Sequence, residues 1–286
     1  MSDLHSINEA INKRAGRKLL PSIAVSLSLI ALIWALLSFF RFGIAIVVAV
    51  AVSLAIKELA SAFSTTDTYV SYRSLLISTI GLSAATWFGG IRALAVGAAI
   101  ALGLILIGLL RKGPKGFVKS ASASIFALVY LPFLMCFAIL LARPASGFGN
   151  VMTLIVLVSC NDTFGYLVGV LIGKHPMAPH ISPKKSWEGL AGSIIFTARG
   201  GYLAFTYLLD LNGWIGAGIG LIAVLTATTG DLIESSIKRD FAIKDMGNLL
   251  PGHGGIMDRL DSIVLTAPAL WLVLDLVKYY SLQTYR

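Results

Sequence analysis

The segment from Asp231 to Asp261 concentrates acidic side chains at a spacing that suits metal chemistry. It contains six of the 14 acidic residues in a chain of 286. On a helix, Asp231, Glu234 and Lys238 lie at positions i, i+3 and i+7 and share one face. Asp258 and Asp261 are likewise three residues apart. Carboxylates are hard oxygen ligands suited to Mg²⁺ that bridges nucleotide phosphates, so we predict a metal site here. Its predicted ligands are Asp231, Asp258, Glu234 and Asp261.

Basic residues and glycines lie among these carboxylates and could meet phosphate oxygens. The side chains would supply cations and hydrogen-bond donors, and the glycines would let backbone N–H groups approach a phosphate closely. The alternative is that these are ordinary juxtamembrane charges that pair with one another and with lipid headgroups. For Asp240 and Lys244 taken alone, that alternative is favoured. These candidate phosphate-binding residues are Ser235, Lys238, Arg239, Lys244, His253, Gly254, Gly255 and Arg259.

A second polar group lies between Asp162 and Glu188. Asp162 is the only acid in its apolar stretch, where it either contacts substrate or metal or accepts a hydrogen bond between helices. Lys184 and Lys185 could bind phosphate or could mark the cytoplasmic boundary of a membrane helix. Glu188 opens the next helix, and its role stays open. All four are predicted substrate-binding residues.

Long apolar helices must position these side chains. The chain is 57% hydrophobic and 13% charged, with a mean hydropathy of +0.84. Several apolar runs reach the roughly 20 residues that a helix needs to cross a hydrocarbon core about 30 Å thick. We predict an all-α polytopic membrane protein with about nine transmembrane helices. They are placed at about 20–40, 42–60, 75–91, 93–110, 120–142, 150–172, 190–209, 213–235 and 262–281.

The chain divides into an N-terminal region, 1–150, with about five helices, and a catalytic region, 151–286, with about four. Most of its 23 Lys and Arg residues fall in segments that face the cytoplasm if the N-terminus is cytoplasmic. This orientation places the loops at 173–189 and 236–261 on the cytoplasmic side. The net charge of +9 is then explained by topology, and no nucleic-acid partner is expected. We expect a bacterial cytoplasmic (inner) membrane location and retention of the basic N-terminal segment.

From Ser235 to Asp261 the chain carries a long signature of mixed charge and glycine. It reads S-x-hydrophobic-K-R, then K-D after four residues, then an ending P-x-H-G-G-x-x-D-R-x-D. The residues Gly230–Ser235 and Ser182–Gly189 fit the same pattern. With these motifs the chain resembles the phosphatidate cytidylyltransferase family, also called CDP-diacylglycerol synthases. The resemblance is close over the C-terminal half, whereas residues 1–150 match only as hydrophobic helices.

The resemblance implies a reaction and a set of participants. The cytidylyl group of CTP would pass to phosphatidic acid, a membrane lipid, with release of pyrophosphate and with Mg²⁺ held by Asp231 and Asp258. A second, monovalent cation (K⁺) and a homodimer are also implied. Together with the physical argument, the predicted catalytic residues are Asp231, Asp258, Lys238, Arg239, His253, Arg259 and Asp261.

Two other functions are alternatives to this one. A CDP-alcohol phosphotransferase also uses aspartates at a membrane face, but its D-x-x-D-G-x-x-A-R pattern is absent from the sequence. A transporter could use Asp162, Asp231 and Glu234 as an ion path, and it would then carry inverted repeats with acidic residues near the bilayer midplane. The acidic residues crowd one predicted face instead, which disfavours transport.

Overall fold

The computed structural model describes residues 19–247 and 254–284, with side chains for 28–247 and 254–279. Most of the described chain is helical, and its only sheet is a two-stranded antiparallel hairpin between α5 and α6. The helices are α1 (Leu19–Phe39), α2 (Gly43–Ser64), α3 (Tyr72–Leu110), α4 (Phe117–Ala142), α5 (Gly147–Ile172), α6 (Trp187–Leu208), α7 (Gly213–Asp240) and α8 (Met257–Thr284); the strands are β1 (Pro176–Ala178) and β2 (Ser182–Ser186).

Within the described residues, six helices are long and apolar enough to cross a membrane, namely α2, α3, α4, α5, α7 and α8. A mainly helical protein with several apolar helices of membrane-spanning length is therefore confirmed. The count of about nine crossings and the cytoplasmic N-terminus stay predictions. The division at residue 150 also stays a prediction, although one hydrophobic core runs from Leu37 to Leu270 and includes both regions.

Helix α3 contains two of the predicted spans and is broken between them. Its 39 residues include Gly90, whose φ of 67° and ψ of −152° are not helical. A positive φ is a conformation that glycine adopts without steric cost. Around the break, the Arg143 side chain donates hydrogen bonds to the carbonyl oxygens of Trp87 (2.6 Å) and Phe88 (3.2 Å). Arg143 thus supplies hydrogen-bond donors to the carbonyl oxygens next to the interruption.

Contacts between helix ends and connecting segments define the two ends of the bundle. At one end, the Lys119 ammonium donates to the carbonyl oxygen of Thr66 at 2.8 Å, and the rings of Phe63 and Phe241 pack edge to face. At the opposite end, the Arg41 guanidinium donates to the carbonyl oxygen of Pro144 at 2.6 Å. We call the first the site end; it comprises the connections 64–72, 110–117 and 172–187 and the described residues 240–247 and 254–257.

Helix α4 contains a π turn at Val129–Phe133. Pro132 lies inside this turn, and proline has no N–H and displaces the carbonyl group four residues before it. A π turn is one way in which a helix absorbs such a residue, and π turns are frequent at functional sites. The turn carries Tyr130, whose side chain is buried.

Close packing of α6 against α7 depends on small residues. A Cβ added to Gly201 would overlap the backbone of Gly216, and the reverse is also true. Membrane helices without a hydrophobic force between them commonly approach through such residues. The contact holds α7, which carries the predicted acidic face, in a fixed position beside the hairpin and α6.

Candidate active site

Lys238 lies between two carboxylates from different helices. Its ammonium forms ion pairs with Glu234, one turn earlier on α7, and with the Oδ1 of Asp258 on α8, the latter at 2.8 Å. Glu234 is completely buried, and the Asp258 side chain is only 8% exposed. Buried carboxylates require a cation or hydrogen bonds to compensate for lost hydration. Lys238 supplies that charge and joins α7 to α8.

The second oxygen of Asp258 is also engaged. Its Oδ2 accepts hydrogen bonds from the backbone N–H groups of Gly255 (2.7 Å) and Met246 (3.2 Å). Gly254, directly before Gly255, has a φ of +77°, and a Cβ there would lie 2.8 Å from the same oxygen. Asp258 therefore shapes the loop that precedes α8 in addition to its ion pair.

Glu58 on α2 belongs to the site although it lies outside the sequence motifs. Its carboxylate accepts hydrogen bonds from the backbone N–H groups of Ile256 and Met257, each at 3.0 Å. A Cβ on Gly247 or Gly255 would overlap this carboxylate. The first N–H groups of a helix lack partners within it, so Glu58 satisfies the start of α8. An acid within an apolar helix was the signal that could have found it.

Three further carboxylates converge beside Lys185 of the hairpin. The Lys185 ammonium lies 2.7 Å from Asp231 Oδ2, and the Ser235 hydroxyl donates to Asp231 Oδ1 at 3.3 Å. Asp261 interacts electrostatically with Asp231 and Asp162. The approach depends on Gly230, where a Cβ would overlap the carbonyl oxygen of Asp261. Two helices, α7 and α8, thus bring Asp231 and Asp261 side by side.

Asp162 is exposed on α5. Its Oδ1 accepts hydrogen bonds from the Asn161 amide (2.9 Å) and from the Ser262 hydroxyl (3.3 Å). The same atom therefore links α5 to α8. Asp162 acts as an acceptor between helices and also adds a charge to the group of Asp231 and Asp261.

The hairpin of β1 and β2 carries both predicted lysines to the site end. Arg239 on α7 donates from Nε to the carbonyl oxygen of Ile181 at 3.2 Å, which holds the hairpin against α7. Glu188 accepts from His175 Nδ1 at 2.5 Å and from the backbone N–H groups of Lys174 and His175. The His175 contact is the largest of the effects that lower the pKa of Glu188 to about 2. Glu188 therefore links the start of α6 to the chain just before β1.

The remaining predicted residues lie around these contacts. Lys184 and Lys244 are exposed, Arg259 is half-buried, and Gly254 and Gly255 form the loop before α8. His253 lies outside the described residues, so its role stays a prediction. The acidic residues named above lie toward the site end and do not form a path across the bundle.

The sequence model of the Cytidylyltransferase family matches residues 22–277. The chain belongs to this family. A phosphatidate cytidylyltransferase of Mycobacterium bovis is 40% identical over 280 residues, covering 92% of this chain and 90% of the relative. Proteins of the same name match from Mycobacterium leprae, 47% identical over 57% of this chain and 52% of the relative, and from Staphylococcus aureus, 42% identical over 46% and 50%.

The donor set of this cytidylyltransferase fits a magnesium ion that is shared with a substrate. Within residues 19–247 and 254–284, no three His, Cys, Asp or Glu side chains surround a common point closely enough to hold a metal by themselves. Mg²⁺ generally binds one or two carboxylates, several waters and substrate phosphates, so a cage made only of protein is not required. Asp231, Asp261 and Asp162 supply carboxylates. Both oxygens of Asp231 and both oxygens of Asp258 have partners within the protein, so either residue would exchange a partner to bind a metal.

Proposed function

We propose that this cytidylyltransferase transfers CMP from CTP to phosphatidic acid, giving CDP-diacylglycerol and pyrophosphate. The observation that carries the proposal is the convergence, at one end of an apolar helix bundle, of Lys185 and Lys238 with five carboxylates of α5, α7 and α8. Relatives that bear the name phosphatidate cytidylyltransferase support the choice of substrates.

The reaction needs neutralisation of charge more than it needs a protein nucleophile. A phosphate oxygen of phosphatidic acid would attack the α-phosphorus of CTP, and the bond between the α-phosphorus and the β-phosphate oxygen would break. Both reactants are anionic, so their repulsion must be offset while attacking and leaving groups are held in line. Mg²⁺, when bound, would supply charge stabilisation to the phosphates.

The residues of this chain would divide the remaining work. Asp231 and Asp261, with Asp162, would hold the metal, and Asp258 and Glu234 would fix Lys238 toward the phosphates. Lys185 would exchange its contact with Asp231 for a phosphate oxygen once a cation neutralises that aspartate. Arg239 would position the hairpin through Ile181. Asp258 as a direct metal ligand, a second monovalent cation and a role for His253, Arg259 and Lys244 stay proposals.

We also infer that the site end faces the cytoplasm of a bacterial cell and that the enzyme is a homodimer in the inner membrane. The orientation is supported by the enrichment of Lys and Arg at the site end, including Arg111, Lys112 and Lys115. The dimer rests on the family resemblance alone. Cysteine labelling from either side of the membrane tests the orientation, and native mass spectrometry in detergent tests the dimer.

The activity is tested with detergent-purified protein, CTP labelled in its α-phosphate, phosphatidic acid and Mg²⁺, with and without EDTA. We expect lipid-extractable CDP-diacylglycerol and an equal amount of pyrophosphate, both abolished by EDTA. Asp231→Asn and Asp261→Asn are expected to be inactive while remaining folded. Well-folded wild-type protein that makes no product with any phosphatidic acid or divalent cation would refute the proposal.

A further inference from the structure

The hydroxyl of Tyr130 is a buried polar group that has no role in the proposed function. Tyr130 is 5% exposed, and its oxygen has no hydrogen-bond partner among the described residues. Buried hydroxyl groups in native proteins nearly always have partners, so an exception requires an explanation. A ligand that is absent from the isolated chain is one such partner.

The position of Tyr130 indicates which ligand that is. The residue lies on the π turn of α4, and its ring stacks on Phe126 at a centroid distance of 5.3 Å. It is close enough to Asp261, Glu234 and Asp231 to interact electrostatically with all three. Yet it donates a hydrogen bond to none of them. The phenol therefore lies within electrostatic range of these carboxylates, and its hydroxyl has no hydrogen-bond partner among the described residues.

We propose that the Tyr130 hydroxyl is a substrate-binding group that donates a hydrogen bond to a phosphate oxygen held among these carboxylates. The inference rests on the proposed function, which brings phosphates to this place. The phosphate could belong to the nucleotide or to the lipid, since both are anionic acceptors. A neutral phenol donates one hydrogen bond, and bonds to charged acceptors are the strong ones.

The test is Tyr130→Phe, which keeps the ring and its stacking on Phe126 and removes only the oxygen. Because that oxygen has no protein partner, the variant should fold normally, with a Tm equal to or above that of the wild type. The matched control is Thr153→Val, which removes another fully buried hydroxyl without a partner in the described chain, located toward the opposite end of α5. Thr153→Val should leave activity unchanged.

We expect Tyr130→Phe to lower kcat/KM between about 10-fold and about 100-fold, the range for losing a hydrogen bond to a charged group. A rise in KM for CTP alone assigns the bond to the nucleotide, and a rise for phosphatidic acid alone assigns it to the lipid. Constants equal to those of the wild type for both substrates, in a folded variant, would overturn the assignment.

A second measurement separates this inference from the proposed function. Mg²⁺–CTP and phosphatidic acid are each tested for their ability to raise the Tm of the wild type and of Tyr130→Phe, without turnover being measured. A smaller rise in the variant for one ligand supports the hydrogen bond even if wild-type protein forms no CDP-diacylglycerol. Equal rises for both ligands would contradict it even if wild-type activity is high.

Discussion

The carboxylate of Glu58 holds the backbone N–H of Met257 at 3.0 Å across 199 positions of the chain. The contact fastens the first turn of α8 to α2, and so the helix with Asp258 and Asp261 is positioned by the N-terminal region. Glu58 also fills the space next to Gly247 and Gly255, where no Cβ could fit. The N-terminal helices are therefore part of the site's framework.

Replacing this carboxylate should loosen the start of α8. Glu58→Gln exchanges one oxygen for an NH₂ group that faces a backbone donor, so one charge-assisted hydrogen bond is lost. We expect a loss of about 1.5 to 3 kcal/mol in the free energy of unfolding, together with reduced activity. The neighbouring exposed residue gives the control, Lys57→Gln, which should alter neither. Thermal unfolding in detergent measures the effect, and an unchanged Tm for Glu58→Gln would contradict it.

Removing Lys238 should leave two buried acids without a cation. Lys238→Met is expected to destabilise the protein by about 3 to 5 kcal/mol, the cost of breaking one side of a buried ion pair. Adding Glu234→Gln should restore much of the stability, because one of the two acids becomes neutral, but should not restore activity. Unfolding and turnover are measured on the single and double variants. Equal losses of stability in both would show that Glu234 does not depend on Lys238.

Two adjacent lysines should differ sharply in their effect on activity. Lys185 contacts Asp231, whereas Lys184 is exposed. We expect Lys185→Ala to lower kcat/KM by at least about 10-fold, as loss of a charged contact to the phosphates would. Lys184→Ala should stay within about 3-fold of the wild type, as an exposed charge contributes little. Similar losses in the two variants would mean that the hairpin contributes only general positive charge.

The close contact at Gly230 can be tested against a control glycine on the same helix. Gly230→Ala would push a methyl group into the carbonyl oxygen of Asp261, so α7 and α8 must separate. We expect a destabilisation of about 1 to 3 kcal/mol and a large loss of activity. Gly218→Ala lies on the same helix with nothing within 4 Å of the added Cβ and should be neutral. Full activity in Gly230→Ala would show that the spacing of Asp231 and Asp261 is not critical.

Acid should release the hairpin from the start of α6. The pKa of Glu188 is lowered to about 2, first by the His175 contact, so the charged form is favoured in the folded state. Its stabilising contribution is complete above the ordinary glutamate pKa of about 4.3 and is lost as pH falls toward 2. The release is measured by limited proteolysis, as cleavage between residues 173 and 186. Glu188→Gln should be cleaved faster than wild type at pH 6, and the two should converge near pH 2.

Helix positions could be predicted from the lengths of apolar runs, but the contacts of the site could not. The span predicted at 213–235 lies within α7, and the boundary predicted between 91 and 93 lies next to the break at Gly90. The pairing of Lys238 with Asp258 depends on how closely α7 approaches α8, which glycine packing decides. Glu58 was missed because its partners are backbone groups almost 200 residues away. The hairpin at 176–186 was predicted only as polar loop.

The break at Gly90 also determines at which end of the bundle each later helix begins. An unbroken helix of 39 residues would be about 58 Å long, nearly twice the thickness of a hydrocarbon core. The two parts of α3 fold back on each other, since a Cβ on Gly108 would meet the side chains of Ser71 and Ser74. This reversal lets α4 start at the end of the bundle where α2 finishes, as the bond from Lys119 to Thr66 requires. A chain without a turn at this glycine would place Glu58 and Lys185 at opposite ends of the bundle. One residue far from the chemistry thereby decides whether the two halves of the site ever meet.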